Sequence, residues 1–204
     1  MPLLTEIVVA DSPDSWRAGG FFVVDGRCQI GHVVVRFDES LGKGVTSWSF
    51  DSAAGGGDVD GLVTNVTPGA NTLGAHAPGE HANGAEIIDH IVVLTPDLPR
   101  TLAALDAFGL RLLNSRDTES YGAPMRQAFC KSGEVILEIV GPQTPDPSGK
   151  PARFFGLAVT VTSLDDAAHM LGEKLGTVKP AVQQGRSIAT LRAGQTVPIV
   201  LMSR

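Results

Sequence analysis

The stretch that decides the fold is Glu86-Ile87-Ile88-Asp89-His90-Ile91-Val92-Val93-Leu94-Thr95-Pro96-Asp97-Leu98-Pro99, which runs on to Phe108-Gly109-Leu110. Ile87 to Leu94 is β-branched and apolar, the composition of a strand. Thr95-Pro96-Asp97 then supplies a turn and an N-cap, and Pro99 falls in the first helical turn. Leu98, Leu102 and Leu105 recur at i, i+4 and i+7, so one face of a helix is apolar. Gly109 can adopt the positive φ that ends such a helix. Three strands follow, Leu110–Arg116, Pro124–Lys131 and Glu134–Val140, with Ser132-Gly133 turning between the last two. The order is strand, helix, strand, strand, strand.

Working outward, the same order returns after the proline-rich linker 141–152. Phe154–Thr162 reads as a strand. Leu164, Ala168, Leu171 and Leu175 form a helical stripe ending at Gly176. Ser187–Arg192 and Thr196–Met202 are strands across the Ala193-Gly194 turn. Residues 86–142 and 153–204 are therefore expected to be two βαβββ modules, with His90 aligned on Leu157 and Glu138 near Val200. A repeated unit of this size is a fold-level signal, because one copy cannot cover its own sheet face. Residues 1–65 read as a shortened, degenerate copy. Its strand Thr5–Val9 is followed by one or two helical turns at Ser12–Ala18 and a strand at Ile30–Arg36. Gly44–Phe50 begins a further, aborted unit, and a Gly/Pro-rich linker covers 66–85. The fold class is α+β, with curved, partly closed mixed sheets around a cavity.

Composition narrows the function. The chain has 204 residues, 43% hydrophobic and 19% charged, which supports a core. A net charge of −6 and the lack of any basic run argue against nucleic-acid binding. No apolar run is long enough to span a membrane. The first ten residues have no basic leader and read as a strand, so the expected location is the cytoplasm. Cys28 and Cys130 sit in apolar strand contexts and read as buried, reduced thiols.

The residues Ile88–Val93, the capped helix closing at Phe108-Gly109-Leu110, and the run from Arg126 through Glu138 to Pro142 resemble the opening and closing parts of vicinal oxygen chelate modules. That superfamily includes glyoxalase I, methylmalonyl-CoA epimerase, extradiol dioxygenases and bleomycin-resistance proteins. The resemblance covers residues 86–204 well and the first fifty weakly. It implies paired modules around a small-molecule cavity, with metal ligands on the first and fourth strands of each module. Carried over, it puts His90 and Glu138 at ligand positions. A divalent metal such as Zn, Fe, Ni or Mn would suit that pair, with Glu6 as a third ligand. The last module departs from the pattern and offers no ligand at these positions.

Strand parity sends Glu134, Ile136 and Glu138 to one face and Val135, Leu137 and Ile139 to the helix. Glu138 and Glu134 are the candidate proton-transfer groups. Arg36, Arg126, Tyr121 and Met125 are the candidate substrate contacts, with Tyr121 and Met125 in or beside a loop at the cavity mouth. Arg36 has a structural alternative as an ion pair with Glu6, and Arg126 as a partner of Glu138. Surface or loop placement is expected for His32, His76, His81 and His169. The partner is a small-molecule ligand, and a homodimer would let modules pair across subunits. Two functions follow: a glyoxalase-like lyase, isomerase or dioxygenase, or a binding protein that sequesters a small compound.

Overall fold

The computed structural model describes residues 1–52, 55–68, 81–119 and 122–204. Its elements are β1 (Leu3–Val9), α1 (Pro13–Ala18), β2 (Arg27–Ile30), β3 (Val33–Phe37), β4 (Val45–Asp51), β5 (Gly57–Val59), β6 (Leu62–Val66), β7 (Ala85–Leu94), α2 (Leu98–Phe108), β8 (Leu112–Thr118), β9 (Met125–Ser132), β10 (Val135–Pro142), β11 (Arg153–Val161), α3 (Leu164–Leu171), β12 (Lys179–Pro180), β13 (Ser187–Thr190) and β14 (Ile199–Met202). They form two open mixed sheets. The first has the order β2-β3-β1-β4-β6-β5, the second β12-β13-β14-β11-β7-β10-β9-β8.

Both sheets are built symmetrically about a central antiparallel pair. In the second sheet β7 runs antiparallel to β11, and each takes the last strand of its own module as a parallel neighbour, β10 for β7 and β14 for β11. In the first sheet β1 and β4 are the antiparallel centre, flanked by parallel β3 and β6. The piece beginning at Val45 is thus half of the first sheet, although no helix lies between its strands among the described residues.

The local reasons are those in the sequence. Asp97 caps α2 by accepting from the Arg100 amide, and Gly109 closes it at φ 98°. Helix α3 ends at Leu171 and not at Gly176: Gly172 takes φ 55° and a single 3₁₀ turn follows. The stripe that stays buried is Leu164, Ala167 and Leu171.

One continuous core joins the sheets. The helix-side residues of the second sheet, among them Ile91, Leu137, Ile139 and Val159, cluster with Ile7, Val35, Trp48 and Phe50 of the first. Trp48 meets Phe154 edge-on at 4.9 Å between ring centroids, and Phe50 meets Phe108 at 5.3 Å. Buried Asp11 adds a polar lock: it accepts from Trp16 Nε1 at 2.9 Å and from the Thr196 amide and hydroxyl at 2.5 and 2.6 Å. The first sheet therefore covers the helix side of the second. The opposite face of the second sheet is left to form a site.

Candidate functional site

That opposite face carries a cleft of about 410 Å³. His90 occupies its floor, because β7 is a central strand: His90 lies directly opposite Ile136 of β10 on one side and Ala158 of β11 on the other. Period-two alternation along β10 puts Ile136 and Glu138 in the cleft and buries Val135, Leu137 and Ile139 in the core. His90 Nε2 stands 3.6 Å from Glu138 Oε2. These two residues are brought together as the sequence pattern predicts.

Each is held from behind. The pairing of β7 with β11 jumps from His90↔Ala158 to Ile88↔Val159, so Asp89 is an extra residue in a β-bulge. The bulge turns Asp89 toward the same face as His90, where Asp89 Oδ2 lies 2.8 Å from His90 Nδ1. That contact orients the ring so that Nε2 faces Glu138. Arg186 holds the other Asp89 oxygen at 2.7 Å and reaches Thr160 Oγ1 at 3.0 Å. Burial alone would raise the Asp89 carboxyl, but the hydrogen bonds from His90 and Arg186 outweigh it and hold it at about 2.

On the far side of Glu138, the buried Gln127 side chain donates to Oε1 at 2.5 Å. Gln127 accepts in turn from Arg116 Nε at 2.6 Å, and the Arg116 guanidinium lies over the Phe129 ring at 5.4 Å. The result is one polar line across the sheet, Arg186–Asp89–His90–Glu138–Gln127–Arg116. Phe129, Ile136 and Leu113 supply the apolar part of the cleft.

The other residues singled out in the sequence lie elsewhere. Glu6 and Arg36 pair with each other at 3.5 Å on the first sheet, so their structural reading is the one the geometry realises and they do not join His90 and Glu138. The reason is topological: the first sheet packs on the helix side of the second, away from the cleft. Arg126 is not a partner of Glu138. It lies opposite Gly141 on the helix-side parity and pairs with Asp117 at 2.7 Å in the open. Glu134 sits in the turn before β10, exposed, with its carboxylate 3.7 Å from His32 Nδ1. Met125 begins β9 and does not line the cleft. Tyr121 and His76 fall outside the described residues. His81 accepts from the Phe22 amide and contacts the Gln29 carbonyl, a structural clip. His169 is exposed on α3.

Sequence reasoning missed Asp89, Arg116, Gln127, Gln183 and Arg186. The last module contributes to the cleft through Gln183, in the loop before β13, and through Arg186 behind Asp89. Its strands offer Ala158 as the residue facing His90, with Val200 beside it. Leu157, the residue aligned with His90 by sequence, points into the core.

The donor set for a metal is small. Zinc sites use three or four protein ligands, and non-haem iron oxygenases two histidines and a carboxylate. Here one imidazole nitrogen and one carboxylate oxygen converge. Among the described residues no group of three or more His, Cys, Asp or Glu is arranged to hold a metal ion. No helix among them is long and apolar enough to cross a membrane.

Comparison with known proteins agrees with the architecture. Residues 87–175 match the model of the Glyoxalase/Bleomycin resistance protein/Dioxygenase superfamily. A mutant of 4-hydroxymandelate synthase from Streptomyces coelicolor superposes with a TM-score of 0.63 at 13% identity, over 99% of this chain and 92% of that one. The halotolerant catechol dioxygenase BphC gives 0.63 at 13% identity, over 100% of this chain and 86% of that one. A catechol 2,3-dioxygenase gives 0.60 at 15%, over 99% and 86%. At such identities the likeness concerns the fold. No curated protein matches the chain.

Proposed function

We infer a glyoxalase-like isomerase or lyase that moves a proton on a small molecule bearing vicinal oxygens, a reading supported by the match of residues 87–175 to the Glyoxalase/Bleomycin resistance protein/Dioxygenase superfamily model. One observation carries this reading: His90 Nε2 and Glu138 Oε2 face each other across 3.6 Å in the cleft, each fixed from behind by a second polar side chain. Fixed geometry is what a general acid–base pair needs, and such a pair contributes about 10²–10⁴ in rate.

Glu138 Oε2 accepts a proton from a carbon next to the substrate carbonyl. The bonding pair moves onto the carbonyl oxygen as an enolate. His90 Nε2, oriented by Asp89, exchanges a proton with Glu138 or with the substrate oxygen. Return of the proton to the same or the neighbouring carbon completes an isomerisation; departure of a β-substituent instead makes it a lyase step. Among the described residues two donors converge, fewer than the ligand sets of zinc enzymes or of iron dioxygenases, and the proton transfer falls to these two side chains.

A second reading, a protein that only sequesters its ligand, is favoured by Ala158 and Val200 standing where the last module's half of a site would be. Deuterium exchange of hexane-3,4-dione in D2O, followed by proton NMR with chelator-treated protein, separates the two. The expected result is loss of the methylene signals faster than in buffer, with the excess falling at least about tenfold in Glu138→Gln and in His90→Gln. Ligand broadening with exchange at the buffer rate selects the sequestering protein. Exchange that survives both substitutions refutes the role of the pair.

A further inference from the structure

We propose that the cleft selects 2-oxo monocarboxylates with an apolar tail, the carboxylate being held by Arg116. The proposal rests on the reading of His90 and Glu138 as the proton-transfer pair and names the substrate class of that site.

The charges of the cleft point to this class. Both of its carboxylates are matched within the protein, Asp89 by Arg186 and His90, Glu138 by His90 and Gln127. Arg116 is different. Among the described residues its partners are a neutral amide oxygen, through Nε, and an aromatic face. These two contacts fix the plane of the guanidinium, and the amide uses only the Nε edge. A preorganised fork of this kind matches a carboxylate in two parallel hydrogen bonds.

Spacing points to the rest of the molecule. The Gln127 amide touches Arg116 with its oxygen and Glu138 with its nitrogen, so a single amide separates the cation from the base. A 2-oxo acid has the same short span: its carboxylate carbon and its acidic C3 are both bonded to the carbonyl carbon. In the proposed pose the carboxylate lies on Arg116 and the C3–H bond is turned toward Glu138. The proton passes to Glu138, the C3–H pair becomes the C2–C3 double bond of an enolate, and the negative charge rests on the C2 oxygen. Reprotonation at C3 restores the 2-oxo acid with that centre exchanged or inverted; no oxidant is consumed. Phe129, Ile136 and Leu113 form the apolar surface on which the tail lies.

The test uses the full chain with 4-methyl-2-oxopentanoate and its methyl ester, titrated by ligand-observed NMR, together with C3 deuterium exchange. The acid is expected to bind about tenfold tighter than the ester in the wild-type protein, the worth of one charge-assisted contact. Arg116→Gln abolishes that preference and the C3 exchange of the acid. Arg116→Lys keeps the charge without the fork and retains a reduced preference. Should Arg116→Gln fail to fold, the acid-to-ester ratio in the wild-type protein and in Arg116→Lys decides the matter. Equal binding of acid and ester, or a preference that survives in Arg116→Gln, overturns the proposal. Hexane-3,4-dione carries no charge, so its exchange by the wild-type protein reports separately on His90 and Glu138. If that exchange persists while acid and ester bind alike, the carboxylate assignment alone falls; if both tests fail, the underlying reading falls with it.

Discussion

Replacing Asp89 by Asn removes one charge at the best-connected point of the polar line. The carboxylate is mostly buried, with its side chain 16% exposed, and it accepts from Arg186 at 2.7 Å and from His90 at 2.8 Å. Its carboxyl is held at about 2 against an ordinary value of 3.8. That depression corresponds to ~2 kcal/mol of folding stability. The substitution also leaves Arg186, itself only 20% exposed, without its counter-charge. The expected loss at pH 7 is therefore about 2–3 kcal/mol. The sign of the pH dependence follows from the folded group titrating lower than the unfolded one. The wild-type advantage is complete above about pH 4 and fades as pH falls through 2, so it is roughly halved at pH 3. Urea titrations of both proteins at pH 7, 4 and 3, monitored by tryptophan fluorescence, measure the gap. A gap under ~0.5 kcal/mol at pH 7, or one that stays constant down to pH 3, would refute the assignment of Asp89 as a buried ionic hub.

Three further outcomes are expected. Asp11→Ala strands the Trp16 indole and the Thr196 amide and hydroxyl without their common acceptor, costing about 3 kcal/mol; a calorimetric Tm lowered by less than ~3 °C would contradict this. Gly156→Ala drives a methyl group into the Pro198 carbonyl oxygen, a backbone atom that cannot rotate away, so a loss of about 1–3 kcal/mol is expected and unchanged thermal unfolding would count against the packing described. Burial pushes the Cys28 thiol up to about 12, and burial with help from Asp106 pushes Cys130 to about 11; neither should react with a disulfide reagent in native protein at pH 8, and both should react in urea.

Much of the fold is legible in the sequence because two periodicities are clean. Period two along Val135–Ile139 is enough by itself to assign Glu138 to a face, and the Asp97 cap and Gly109 terminus bound α2. What the sequence conceals depends on register. Gln127 reaches Glu138, and Arg116 reaches Gln127, only because three strands align at particular residues. Strand order alone allows Arg126 to face the cleft beside Glu138; the register places it against Gly141. Analogy between modules draws Glu6 and Arg36 toward His90, and the packing of whole sheets decides otherwise. The Asp89 bulge does leave a mark: two adjacent polar residues, Asp89 and His90, separate the buried Ile88 and Ile91. A three-residue step between buried side chains is not a strand period, and it signals an inserted residue.

The bulge has one more implication. Because Asp89 is supernumerary, Ile88 and His90 would keep their present faces if it were absent, and Val159 and Ala158 would still be their partners. The strand pattern and the core faces do not require it; the imidazole would lose the carboxylate at its back and Arg186 its counter-charge. A single codon thus separates a histidine with a carboxylate at its back from one without. This scaffold can acquire or shed the tuning of its central base by a one-residue insertion or deletion, with no refolding of the sheet around it.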